Sequence, residues 1–185
     1  MKKLLTLLLT ICLFQYISAN DFIIVSPDRN LQVSVFLKEG TLNYNVNYKG
    51  KVILEDSPLG MITNVSDFSK DLVFVEKREQ VVNKTYNEPK IKKSHVEYLA
   101  NEVVYTYQTP QEEKITVTFR VSNNDIAFKY ALVQNGETAR CIIEKELTGF
   151  KFPQQTTTFL TPQATPMIGW MRTKPSYEEE YMPDE

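Results

Sequence analysis

Apolar residues fall at every second position in one run after another of this 185-residue chain. Leu31, Val33, Val35 and Leu37 alternate with Gln32, Ser34 and Phe36, and Leu42, Tyr44, Val46 and Tyr48 alternate with Asn43, Asn45 and Asn47. Successive side chains of a strand point to opposite faces, so this pattern predicts strands with one buried face each. Further strands are expected at Phe22–Val25, Lys51–Leu54, Leu72–Glu76, Gln80–Tyr86, Val96–Leu99, Val103–Tyr107, Lys114–Val121, Ile126–Val133 and Cys141–Leu147. Gly40, Gly50 and the pair Asn135-Gly136 mark turns between them. The clearest hairpin joins residues 114–121 and 126–133 through Ser122-Asn123-Asn124-Asp125, where Asn and Asp are expected to take positive φ. No segment beyond the first twenty residues repeats with a helical period. The predicted class is therefore all-β, an antiparallel sandwich of ten or more strands with negligible helix.

The first nineteen residues stand apart. Lys2 and Lys3 precede an apolar run from Leu4 to Phe14, and Ile17-Ser18-Ala19 offers small residues for cleavage. This is the pattern of a secretory signal peptide, and the run is too short to span a bilayer. The expectation is an exported, periplasmic protein whose mature domain covers residues 20–185, with no membrane span. Cleavage removes two lysines and moves the formal net charge from −2 to about −4. A balance of that sign argues against nucleic acid as a partner. Only Cys141 remains after cleavage, so no internal disulfide can form, and its apolar run Arg140-Cys141-Ile142-Ile143 predicts a small buried hydrophobe.

Chemistry-bearing residues concentrate at the other end. From Lys151 onward prolines break the strand pattern, apart from a strand-like stretch at Thr156–Thr161. Residues 161–185, TPQATPMIGWMRTKPSYEEEYMPDE, hold the single tryptophan, Trp170, beside Tyr177, Tyr181 and the carboxylates Glu178, Glu179 and Glu180. Read on its residues alone, the acidic run is either a solvated tail or part of a hard-cation site, since Ca²⁺ takes oxygen ligands and favours carboxylates. Trp170 is either ordinary packing or a stacking surface for a sugar ring, whose C–H face is apolar. His95 is the only histidine and is expected on a strand surface. No cysteine cluster, phosphate-binding glycine loop or HExxH sequence is present.

Three blocks in this order resemble the N-terminal domain of glycoside hydrolase family 97: residues 26–61 (SPDRNLQVSVFLKEGTLNYNVNYKGKVILEDSPLGM), 119–132 (FRVSNNDIAFKYAL) and 159–181 (FLTPQATPMIGWMRTKPSYEEEY). That family includes calcium-dependent α-glucosidases and α-galactosidases. The resemblance implies an antiparallel β-supersandwich similar to galactose mutarotase, followed in family members by a catalytic (β/α) barrel. It also implies that a glutamate of the Ser-Tyr-Glu segment reaches into the barrel mouth to bind Ca²⁺. The matching residue here is Glu178, after Ser176 and Tyr177, with Glu179 the alternative one register on.

The resemblance gives a carbohydrate, an α-glucan or α-galactoside, as substrate-class partner, and the stacking reading of the rings makes Trp170 and Tyr177 the candidate substrate-binding residues. Because glycoside hydrolysis needs two positioned carboxylates and the barrel supplies them, this chain alone is expected to be inactive and to stop short of the barrel. A sandwich cut in this way is expected to leave a sheet edge or apolar face uncovered. The alternatives are a stand-alone glycan-binding sandwich and an inactive gene fragment.

Overall fold

The computed structural model describes residues 22–90, 92, 94–133 and 140–158. The chain divides into two units, Met1–Pro153 and Gln154–Glu185. Among its described residues the first carries ten strands: β1 Phe22–Val25, β2 Leu31–Lys38, β3 Thr41–Tyr48, β4 Lys51–Pro58, β5 Met61–Thr63, β6 Val73–Asn87, β7 His95–Gln108, β8 Lys114–Ser122, β9 Ile126–Leu132 and β10 Ile143–Glu146. All pairings are antiparallel. One sheet has the order β1-β2-β3-β4, a second β6-β7-β8-β9, and β5 pairs with β10 in a small third. Among the described residues no helix is long and apolar enough to cross a membrane.

The alternating residues decide how the two large sheets meet. Val33, Val35, Leu42, Tyr44, Val46 and Leu54 from the first sheet are buried against Val103, Tyr105, Tyr107, Ile115, Val117, Phe119 and Val121 from the second. β1 lies against β7 and β2 against β8. A one-residue slip in any of these strands turns its apolar set outward, which is why the pattern fixes the register. Tyr48, placed by the pattern on the buried face, is exposed at the strand end, with the Lys49 ammonium 5.1 Å from its ring centroid.

Two of the tight turns form as their glycines predict. Glu39 and Gly40 both take positive φ, as do Lys49 and Gly50, and two such residues in a row match the right-handed twist of a hairpin. Gly40 also meets the backbone of Asp71, where an added Cβ lies 2.9 Å from the Asp71 nitrogen.

The hairpin turn at 122–125 corrects the sequence reading. None of Asn123, Asn124 and Asp125 takes positive φ. Instead the Ser122 hydroxyl accepts the Asn124 and Asp125 backbone N–H groups and donates to the Asp125 carboxylate. Side-chain bonding does here what left-handed backbone does elsewhere.

Other boundaries move. The predicted pairs of strands at 72–76 with 80–86, and at 96–99 with 103–107, are each one long strand, β6 and β7, and β5 goes unpredicted. Cys141 is exposed, not buried, because the strand it was assigned to starts only at Ile143 and faces solvent along its length. Residues 156–158 form no strand, and the rest of that predicted stretch lies outside the described residues, as does the turn at Asn135-Gly136.

The two long sides of the sandwich end differently. Along β1, Phe22 packs at a tilt against Phe74 and stacks on Tyr105, at centroid distances of 4.6 and 5.1 Å, and the Asn101 side chain donates to the Val25 carbonyl at 2.7 Å. On the opposite side, a strap of residues 147–151 runs along β4, with Gly149 N–H donating to the Pro58 carbonyl and Glu55 N–H to the Lys151 carbonyl. β9 is the outermost strand of its sheet among the described residues, and its inner row, Ile126, Phe128, Tyr130 and Leu132, is only half buried. Among the described residues β1 and β6 are outermost strands as well, and Ile23, Val73 and Val81 on that side are exposed.

Candidate functional site

Trp170, Tyr177 and Glu178, the residues the sequence singles out, lie outside the described residues, as do Ser176, Glu179 and Glu180. What can be built from side chains is the sandwich that leads up to them.

Its most ordered polar feature crosses the outer face of the second sheet. Strand register sets Gln80, Glu102, Arg120 and Ala127 side by side on β6, β7, β8 and β9. Glu102 is only 6% exposed although, among the described residues, no second layer of strands covers that face. Both carboxylate oxygens are engaged: Oε1 accepts from Gln80 Nε2, and Oε2 accepts from Arg120 Nε at 2.8 Å and from Arg120 Nη2. Burial pushes the Glu102 carboxyl up, but the Gln80 and Arg120 hydrogen bonds together outweigh it and hold the group below its ordinary value. The group stays ionised at neutral pH and ties three strands together. With its oxygens occupied, it is a poor general base and a good fastener.

Beside this row opens a shallow cleft of about 200 Å³, lined by Tyr98, Thr118, Arg120 and Lys129. The Tyr98 hydroxyl points at Asp125, 3.4 Å away, and burial raises its pKa. A second cleft, of about 320 Å³, lies between β1 and the β6–β7 pair and has Ile23, Val25, Gln80 and Asn101 in its walls. Among the described residues no group of three or more His, Cys, Asp or Glu gathers as a bound metal needs. His95 sits exposed at the start of β7, its Nδ1 2.9 Å from the Asn87 side-chain oxygen and its Nε2 3.9 Å from Glu97, a surface strand residue as its surroundings predict.

Sequence reasoning missed the Gln80–Glu102–Arg120 row. Alternation puts Glu102 on the solvent side of β7, but only strand register reveals that an amide and a guanidinium flank it. Three residues 18 and 22 positions apart carry no local signal.

At the strap, Tyr44 and Tyr130 reach across. The Tyr44 hydroxyl donates to the Gly149 carbonyl at 3.2 Å, and burial pushes its pKa up to about 12. Tyr130 accepts the Gly60 N–H and shares a 2.8 Å hydrogen bond with the Thr148 hydroxyl. These bonds fix the strap while leaving Phe150 and Phe152 largely in solvent.

The architecture thus defines the class: an all-β antiparallel sandwich domain, pinned by a cross-strand ion pair. Residues 24–185 match the family described as glycosyl-hydrolase 97 N-terminal, and the chain belongs to that family. Among solved structures it is similar to a β-arabinopyranosidase, at 48% identity and a TM-score of 0.82, over 89% of this chain and 26% of that one. A glycoside hydrolase family 97 enzyme from Pseudoalteromonas sp. strain K8, solved with panose and with acarbose, shares the fold at 24% identity and a TM-score of 0.66, over 72% of this chain and 20% of that one. A probable retaining α-galactosidase of Streptomyces bingchenggensis (strain BCW-1) is 25% identical over 129 residues, which is 67% of this chain and 20% of the relative. The chain spans about a fifth to a quarter of the length of these relatives.

Proposed function

We propose that this chain is the N-terminal supporting domain of an exported α-glycosidase, completed by a catalytic barrel and contributing Glu178 to an active-site calcium. The observation that carries the reading is the family match across residues 24–185, which takes in the Ser176-Tyr177-Glu178 segment. The donor chemistry fits: Ca²⁺ takes roughly six to eight oxygens, and one carboxylate supplies at most two of them. Glu178 therefore acts as one ligand of a shared site. Bound there, the cation supplies positive charge to polarise a substrate oxygen. Trp170 and Tyr177 offer ring faces to the apolar side of a sugar. Residues 1–19 direct export to the periplasm and are then removed.

The sugar is of the galactose type. β-L-Arabinopyranose and α-D-galactopyranose share one ring configuration and differ by a hydroxymethyl group, and two relatives carry those sugars in their names. We favour such substrates over α-glucosides.

The test joins this chain to the part of the β-arabinopyranosidase relative that follows its aligned N-terminal quarter. Calcium-dependent hydrolysis of nitrophenyl β-arabinopyranoside or α-galactoside is expected from the joined protein and none from this chain alone. Glu178→Gln should weaken calcium binding and lower turnover together, with Glu180→Gln mattering less. Calcium affinity and turnover undiminished in Glu178→Gln remove the metal role from this residue.

A further inference from the structure

We propose that the shallow cleft on the outer face of the second sheet is a saccharide-binding site, the Tyr98 ring taking the apolar face of one sugar and Arg120, Lys129 and Asp125 its hydroxyl groups. This site is additional to the segment holding Trp170 and Tyr177. Only its ligand class, a sugar, follows from the family to which the chain belongs.

The rings come first. Strand pairing sets Lys84 opposite Tyr98 and Tyr86 opposite Val96, so Tyr86 and Tyr98 are diagonal neighbours on one face. β7 pairs with β8 only from Ala100 onward, so Tyr98 stands where the sheet narrows to the β6–β7 ribbon. Tyr86 is 45% exposed and Tyr98 half-buried. Among the described residues neither ring packs against another aromatic, whereas Tyr44, Tyr105, Phe119 and Phe128 all do in the core. A half-covered ring beside a polar cleft offers the kind of surface that sugar C–H groups pack on.

Polar groups surround that ring. Nε and Nη2 of Arg120 bind Glu102, which holds the guanidinium still and leaves Nη1 for a ligand. Lys129, opposite Thr118 in the register, lines the same cleft, and among the described residues no carboxylate lies within ion-pair distance of its ammonium. The Tyr98 hydroxyl is only loosely paired with Asp125, at 3.4 Å, so both can turn to a ligand. Ala127, the partner of Arg120 on β9, is too small to fill the space beside it. Arg120 and Lys129 are balanced by Glu102 and Asp125, with Lys84 adding a cation beyond Tyr98. Such a mixed set suits an uncharged polyhydroxyl, whose hydroxyls both donate and accept, better than an ion. At about 200 Å³ the cleft is below the roughly 300 Å³ of a drug-sized pocket, which suits one sugar ring lying half in water. The larger cleft beside β1 has no aromatic residue in its walls.

Backbone amide chemical shifts of the full chain, titrated with the methyl glycosides of α-galactose, β-arabinopyranose and α-glucose, test the site. Shifts are expected at Tyr98, Thr118, Arg120 and Lys129 with at least one of them. Tyr98→Ala should weaken binding roughly tenfold, as loss of an aromatic anchor does. Lys129→Ala should weaken it about threefold, through loss of one hydrogen bond. Ala127→Ile fills the cleft without removing a polar group, and should abolish the shifts at Thr118 and Lys129 while melting like the wild type. Added salt should leave the affinity unchanged, since the ligand carries no charge. Absence of sugar-dependent shifts at these amides overturns the site. Sulfate shifting them as strongly as any sugar makes the cleft an anion site and overturns the ligand class. Shifts that survive Ala127→Ile, or that vanish in Trp170→Ala but not in Tyr98→Ala, place the sugar elsewhere and overturn it too. The calcium and turnover test of Glu178 is untouched by each of these outcomes, so the two readings fail separately.

Discussion

The β1 side and the β9 side of this sandwich are built from the same kinds of residue and come out differently. On the β1 side Phe22 is clamped between Phe74 and Tyr105, with the Lys77 ammonium 5.5 Å from its ring centroid. On the β9 side the equivalent aromatic, Phe150, leans on Tyr44 and Phe128 and keeps most of its surface in water. Burial of an aromatic ring, not its presence, separates the two sites. The stabilisation scales with apolar area removed from water, about 25 cal/mol per Å². Phe150 therefore adds less to this chain's own stability than Phe22 does.

Truncation gives the largest expected contrast. Tyr105→Ala empties a fully buried site beneath Phe22 and should cost about 3–5 kcal/mol, enough to unfold a marginal domain. Phe150→Ala should cost less than about 1 kcal/mol in the isolated chain, because its ring is mostly solvated already. Urea midpoints of the two variants measure the difference, and similar losses in both erase the contrast.

A smaller effect comes from acid. Glu102 is held below its ordinary value of 4.5, so its contribution is complete above that pH and is lost as pH falls through the lower folded value. The loss should be on the order of 1 kcal/mol and should loosen β6, which Gln80 ties to Glu102. A Glu102→Gln chain should show a flatter decline in melting temperature between pH 5 and about pH 3. An unchanged decline shifts the cause to Asp28 and Asp67. Those carboxyls are also held down, by hydrogen bonds from Ser26 and Ser69 respectively.

Much of this was legible before any coordinates. Alternation at 31–37 and 42–48 gave the buried faces, and the glycines at 40 and 50 gave two turns, because those signals are local. The merging of 72–76 with 80–86 into β6 was not legible. Its charged middle, Lys77-Arg78-Glu79, looks like a turn in isolation, yet it is held extended by pairing with Tyr105, Val104 and Val103. Cys141 misled for the opposite reason: an apolar run predicts burial only when something lies over it, and Ile142 and Ile143 are exposed. The segment with Trp170, Tyr177 and Glu178 was found by composition and resemblance, and its geometry lies outside the described residues.

The difference between the two sites is tested most directly by amide hydrogen exchange on this chain. The account predicts slower exchange in Phe22–Val25, held under the clamped Phe22 ring, than along residues 147–151 beside the solvated Phe150. Exchange as fast or faster at Phe22–Val25 contradicts it.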